Sequence, residues 1–258
     1  LNLNLTNKVA LITGASCGIG ASIAESFLEE GAKVILVSRG SDKLYNLAHD
    51  LKVKFGENHV AVYKCDCSKV DELALLNRVI SKEIGDIDIV VANVGDGKSV
   101  PDALPNLTQW SITWQKNFES SLFTVNEFLP VLRKTKGCIL FISSIAGVEA
   151  FGAPVDYSTA KSAIVALSKN MARKLACESV RVNTVLPGNI LFPDGSWDKK
   201  MADNPEKINS MIESTVPMNR FGAPAEVAGI CTFLCSNKAS FITGSSIVVD
   251  GGQTMGVY

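Results

Sequence analysis

The sequence predicts an α/β fold: one doubly wound domain spanning residues 1–258 on a mostly parallel seven-stranded sheet. Three observations lead there. Short runs rich in Val and Ile alternate with longer stretches of helical spacing. The strand-like runs are apolar on both faces, as strands are when helices cover both sides of a parallel sheet. No linker-like segment interrupts the alternation, and α/β domains commonly reach about 250 residues.

The elements follow in order. Lys8 to Thr13 is an apolar run closed by Gly14, and Gly18 to Glu30 places Ile19, Ile23, Phe27 and Leu28 at helical spacing before Gly31. Further strands are expected at Lys33 to Ser38, His59 to Lys64, Ile87 to Ala92, Cys138 to Ser143, Val180 to Val185 and Ser246 to Asp250. Between them, helices are expected at Asp42 to Phe55, Val70 to Ile84, Thr108 to Lys134, Val155 to Ala176 and Pro224 to Ser236. The long interruption is Asn189 to Asn219, where Pro193, Gly195, Pro205 and Pro217 break regular structure. In an open parallel sheet ligands bind beyond the carboxyl ends of the strands, so a segment leaving that edge reads as a substrate lid.

Composition excludes several functions. With 25 basic and 26 acidic side chains, the chain lacks the basic excess that nucleic acid or an anionic membrane requires. Two histidines are too few for a multi-His metal site and make a Ser-His-Asp hydrolase hard to build. The seven cysteines lack zinc-ligand spacing and read as reduced, mostly buried thiols in a cytoplasmic protein, with no metal. Leu1 to Asn7 carries neither a basic region nor an apolar core, so it does not read as a signal peptide. No apolar run approaches the ~20 residues of a membrane span.

Thr13-Gly14-Ala15-Ser16-Cys17-Gly18-Ile19-Gly20 joins the first strand to the first helix. Its glycines permit a tight turn and a close backbone approach, so a pyrophosphate can sit on the helix N-terminus. Gly14, Ser16, Gly18, Ile19 and Gly20 are therefore cofactor-binding candidates. NAD binders commonly place an Asp or Glu about 20 residues on, where it meets the ribose hydroxyls. The second strand instead ends Val37-Ser38-Arg39, and Arg39 offers a planar charged donor set suited to a 2′-phosphate. NADP(H) is thus expected in preference to NAD(H), which stays possible.

At the other end of the site, Tyr157-Ser158-Thr159-Ala160-Lys161 puts Tyr157 and Lys161 one helical turn apart. A phenol ordinarily titrates near about 10. A neighbouring ammonium favours the phenolate, so Lys161 is expected to lower Tyr157 into the range of a general acid for ketone reduction. Ser143-Ser144 closes the preceding strand. With Asn93-Val94-Gly95, Asn117, Pro187-Gly188, the Arg220 to Ala228 segment and Asp250-Gly251-Gly252, the set of motifs resembles the short-chain dehydrogenase/reductase family from about Lys8 to Gly252.

That resemblance implies a Rossmann-like domain and a role for each position. Ser144 would polarise the substrate carbonyl and Tyr157 would exchange its proton. Lys161 would bind the nicotinamide ribose and tune the tyrosine, and Asn117 would support a water link to Lys161. Asp66 would contact the adenine. Asn93 and Gly95 would pack beside the cofactor, with Pro187, Gly188 and Ile190 against the nicotinamide amide. Three positions depart from the family pattern: Val94 replaces a common Ala, Cys17 stands where NADP-dependent members often have a basic residue, and Phe192 replaces a frequent cofactor-contacting Thr.

The expected substrate is a carbonyl/alcohol pair of modest size, lined by residues 96–105, 149–156 and 189–219. The rival readings are a catalytically silent NADP-binding sensor, which would have no need to keep Ser144, Tyr157 and Lys161, and a sugar-nucleotide epimerase, which usually has a longer C-terminal region. The Tyr157 helix is apolar on more than one face, and the chain ends Thr254-Met255-Gly256-Val257-Tyr258. A symmetric homo-oligomer is expected, and the resemblance implies a homotetramer, with a homodimer as the alternative.

Overall fold

The structure is a computed structural model that describes residues 3–40 and 42–256. Its seven strands are β1 (Val9–Thr13), β2 (Lys33–Ser38), β3 (Val60–Lys64), β4 (Ile89–Ala92), β5 (Cys138–Ile142), β6 (Arg181–Pro187) and β7 (Ser246–Val249). They form one sheet in the order β3-β2-β1-β4-β5-β6-β7, parallel throughout. Chain direction along the sheet reverses between β1 and β4, which creates a crevice at their carboxyl ends.

Because strand side chains alternate, each apolar run feeds two cores. Ala10, Ile12, Val34, Leu36, Val91 and Leu140 enter one core with Ile23 and Phe27 of α1 (Gly18–Glu29) and Leu44 of α2 (Asp42–Phe55). Leu11, Ile35, Val37, Val90, Ile139 and Phe141 enter the other with Leu73 of α3 (Val70–Glu83).

The fourth connection, from β4 to β5, differs from the single helix expected between Thr108 and Lys134. It divides into α4 (Leu107–Trp114), a π-helical turn (Gln115–Glu119) and α5 (Ser120–Thr135). After β5 comes α6 (Val155–Leu175), which carries Tyr157 and Lys161. The segment expected to be irregular after β6 instead contains α7 (Ser196–Asp203) and α8 (Pro205–Thr215), followed by α9 (Pro224–Cys235). Pro205 starts a helix rather than breaking one, because at the first helical position its missing N–H is not needed and Asn204 caps the turn by accepting from Lys207 N at 3.1 Å.

Candidate active site

At the carboxyl end of β1 the chain turns through Gly14 and Gly18, both in the left-handed region at φ 63° and 57°. Asn93, just past β4, clamps this turn. Its Nδ2 donates to the carbonyls of Thr13 at 3.0 Å and Gly14 at 3.1 Å, while its backbone N donates to Thr13 Oγ1 at 3.0 Å. A Cβ at Gly20 would lie 2.6 Å from Asn93 Nδ2, so only glycine lets α1 start this close to the clamp. Cys17 precedes α1 in extended conformation and supplies no side-chain cap, which leaves the first-turn N–H groups for an anion. This geometry fits a dinucleotide pyrophosphate, although the ring of Phe192 lies against Gly18.

Arg39 is exposed beyond β2 and makes no hydrogen bond or ion pair among the described residues. Asp66 stands near it. Burial works against ionisation of Asp66, but the Ser68 hydroxyl and N–H, then the charges of Arg39 and Lys69, outweigh it and hold the carboxyl below its usual value. Beyond β6, Gly188 N donates to Val249 O at 2.9 Å, and Ile190 pairs with Gly222. Asn189 Nδ2 and Gln253 Oε1 are buried with no hydrogen-bond partner among the described residues.

The proton-transfer candidates converge beside the crevice. Ser144, buried after β5, caps a 3-10 turn (Ile145–Gly147) by accepting from Ala146 N at 3.1 Å. Ser143 Oγ donates to Lys161 O at 2.8 Å and so fixes α6 against the end of β5. Lys161 is 4% exposed; its Nζ donates to Ile142 O at 3.1 Å and lies 6.0 Å from the Tyr157 ring centroid. Burial pushes this ammonium down to about 8, with the Asp96 charge opposing.

One expectation is corrected here. Tyr157 is raised, not lowered: burial pushes the phenol up, the Ser144 hydroxyl opposes this as a hydrogen-bond partner, and the Asp96 charge adds to the rise. The lysine does not offset burial, because the protein interior disfavours both the phenolate and the ammonium.

Asn117 is fully buried in the π-helical turn. Its Oδ1 accepts from Asp96 N at 3.0 Å and its Nδ2 donates to Thr113 O at 3.0 Å. Gly95 makes the convergence possible, since a Cβ there would stand 2.7 Å from Asn117 Oδ1 and 2.8 Å from Lys161 Nζ. A second polar chain backs the site. Asp156, 1% exposed, accepts from Ser99 Oγ at 2.5 Å and from Tyr157 N at 2.9 Å, while Gln109 Nε2 donates to Ser99 Oγ at 3.3 Å and Thr113 Oγ1 at 3.0 Å. Sequence reasoning missed Gln109 and Thr113, and placed Ser99 and Asp156 only within stretches expected to line the substrate, without singling them out. Only Asp156 carried a signal, as an acidic residue in the first turn of the Tyr157 helix.

Comparison with known proteins identifies the family. A family model described as enoyl-(acyl carrier protein) reductase matches residues 14–254. The chain belongs to the short-chain dehydrogenase/reductase family. As such it is an NAD(P)-dependent oxidoreductase acting on small molecules. It is 33% identical to a 3-oxoacyl-(acyl-carrier-protein) reductase of Chlamydia muridarum, over 98% of this chain and 100% of that protein. It is also 33% identical to dehydrogenase/reductase SDR family member 4 of Rattus norvegicus, over 96% and 88%. Among solved structures, the L-sorbose reductase of Gluconobacter frateurii, complexed with NADPH and L-sorbose, superposes with a TM-score of 0.92 at 31% identity, covering 100% of both chains. No described helix is long and apolar enough to cross a membrane.

Proposed function

We propose that this chain is an NADP(H)-preferring reductase that interconverts a ketone or aldehyde with a secondary alcohol, using Tyr157 as general acid and base. The observation that carries the reading is the convergence of Ser144, Tyr157, Lys161 and Asn117 beside a glycine turn built for a pyrophosphate. When bound, the nicotinamide cofactor supplies or accepts the hydride.

The chain's own residues handle the proton and the orientation. The Ser144 hydroxyl hydrogen-bonds the carbonyl oxygen and draws charge onto it, while the Tyr157 phenol donates its proton to the same oxygen. A raised phenol suits that direction, because Tyr157 rests protonated and ready to act as an acid. In the oxidative direction the phenolate must be stabilised, and the positive ring of an oxidised cofactor would do this. Lys161, meeting the ribose, and Asn117, holding a water toward Lys161, would return the proton to Tyr157 from solvent. Gly14, Ser16, Gly18, Ile19 and Gly20 would hold the pyrophosphate, Asp66 the adenine, and Asn93, Gly95, Pro187, Gly188 and Ile190 the nicotinamide side.

The preference for NADP(H) rests on Arg39, exposed and without a partner among the described residues where an NAD binder would place a carboxylate. Relatives solved with NADPH or NADP support it. Residues 189–219, carrying α7 and α8, act as the substrate lid over a carbonyl compound of modest size. The assembly is a homotetramer or homodimer, and the setting is cytoplasmic.

The reading is tested with a panel of ketones and alcohols assayed with both cofactors. Tyr157→Phe should lower turnover by at least about a hundredfold, the weight of a general acid. Arg39→Ala should lower kcat/KM for NADPH by about tenfold or more, as expected on losing a charged hydrogen bond, and leave NADH little changed. Full activity in Tyr157→Phe, or a native preference for NADH, would contradict the corresponding half.

A further inference from the structure

The chain beyond β6 does more than flank the crevice. Phe192 rests its ring directly on the glycine turn: a Cβ at residue 18 would stand 2.6 Å from both Cε2 and Cζ of that ring, closer than carbon atoms pack. The same ring edge would lie 3.0 Å from a Cβ at Gly195. The ring thus packs against two residues that have no side chain. It is half-buried and packs on the core that includes Ile19 and Ile190. The same turn is closed by Gly195 N donating to Phe192 O at 3.0 Å and tied to α2 by an ion pair from Lys43 Nζ to Asp194 Oδ2 at 2.6 Å.

Gly18 opens α1, on the turn where a pyrophosphate would come up to the backbone N–H groups of the helix start. Here an aromatic ring takes that approach. A phenyl ring offers an anion no hydrogen-bond donor, and its edge and a phosphate cannot share one face of Gly18. We propose that Phe192 gates the cofactor site: its ring seats on Gly18 in the free protein, and it leaves together with residues 191–195 when a dinucleotide enters. The gate rests on the dinucleotide reading above.

Binding is then limited by the open fraction of the free protein, and apparent affinity falls by that fraction. Adenosine 2′-monophosphate, which has no pyrophosphate, does not need Gly18 and is indifferent to the gate.

The test is stopped-flow and equilibrium binding of NADPH and of adenosine 2′-monophosphate to wild type, Phe192→Ala and Phe192→Leu, with thermal melts as the folding control. Phe192→Ala should bind NADPH at least about threefold tighter, through faster association, because the closed population is lost. Phe192→Leu, which keeps apolar bulk and the fold, should fall between. Affinity for adenosine 2′-monophosphate should stay within about twofold, since its competent fraction does not change. Unchanged NADPH rates in both variants would overturn the gate. So would weaker binding with faster dissociation, which would make the ring a roof over bound cofactor. Failure of wild type and both variants to bind either ligand would defeat the cofactor reading as well, whereas normal binding with equal rates defeats the gate alone.

Discussion

At the residue scale, Lys161 shows what the active-site pattern costs the fold. The motif Tyr-x3-Lys marked the pair in sequence, and the structure brings both to the crevice. What sequence could not supply was how deeply the lysine is buried, because that depends on Gly95, Ser143 and the end of β5, all distant in the chain. Burial pushes its ammonium from the unfolded value of 10.5 down to about 8. Since the folded value is the lower, the unfolded chain holds the extra proton between these limits. The penalty on folding is therefore complete below the folded value and fades as pH rises toward the unfolded one. The gap bounds the effect at about 3 kcal/mol. Urea unfolding of wild type and Lys161→Met without cofactor, at about pH 7 and about pH 10, should show wild type gaining on the variant as pH rises. A difference that is flat, or that moves the other way, would contradict the buried-ammonium account.

At the scale of elements, the strand positions were legible to within two residues, because buried parallel strands are continuous Val- and Ile-rich runs that few other structures need. Two features were not. The π-helical turn at Gln115–Glu119 contains neither Gly nor Pro, so nothing local announces it. Its register follows from Asn117 reaching Asp96 N and Thr113 O at once, and such insertions recur at functional sites. The helices α7 and α8 were hidden because Pro205 reads as a breaker unless Asn204 is seen capping it. Asn117→Ala removes both hydrogen bonds and strands buried or half-buried partners, so it should destabilise the fold by about 1–3 kcal/mol in urea unfolding. Amide exchange at Asp96 should quicken in the same variant. Unaltered exchange there would show that the Asn117 carbonyl does not hold the loop.

At the scale of the whole molecule, the parallel sheet and its two-sided packing followed from the alternation of elements, whereas the strand order did not; the site falls where that order reverses. The Tyr157 helix α6 was expected to meet the sheet on one side and a second subunit on the other. In the single chain one side meets the sheet through Ala160, Ile164, Ala172 and Leu175, while Ser162 and Ala166 stay exposed. The terminal Val257 and Tyr258, also expected to contribute, lie outside the described residues. Exposed apolar side chains gather instead around α4 and the start of α6: Leu104 is 76% exposed, Leu107 87%, Ile112 50% and Val155 41%. Leu107, Trp110, Trp114 and Thr159 line a hollow of about 390 Å3 between these helices. Apolar groups clustered this way mark a contact surface, and a two-fold pairing lets one patch meet its own copy. A stable pairing needs about 800 Å2 from each partner, within reach of two helices side by side. Light scattering at micromolar concentration should therefore give at least a dimer mass, and Leu107→Glu with Trp110→Glu should shift it toward the monomer while leaving NADPH affinity intact. A monomeric wild type would contradict the assembly, and an unshifted double variant would place the contact on another face.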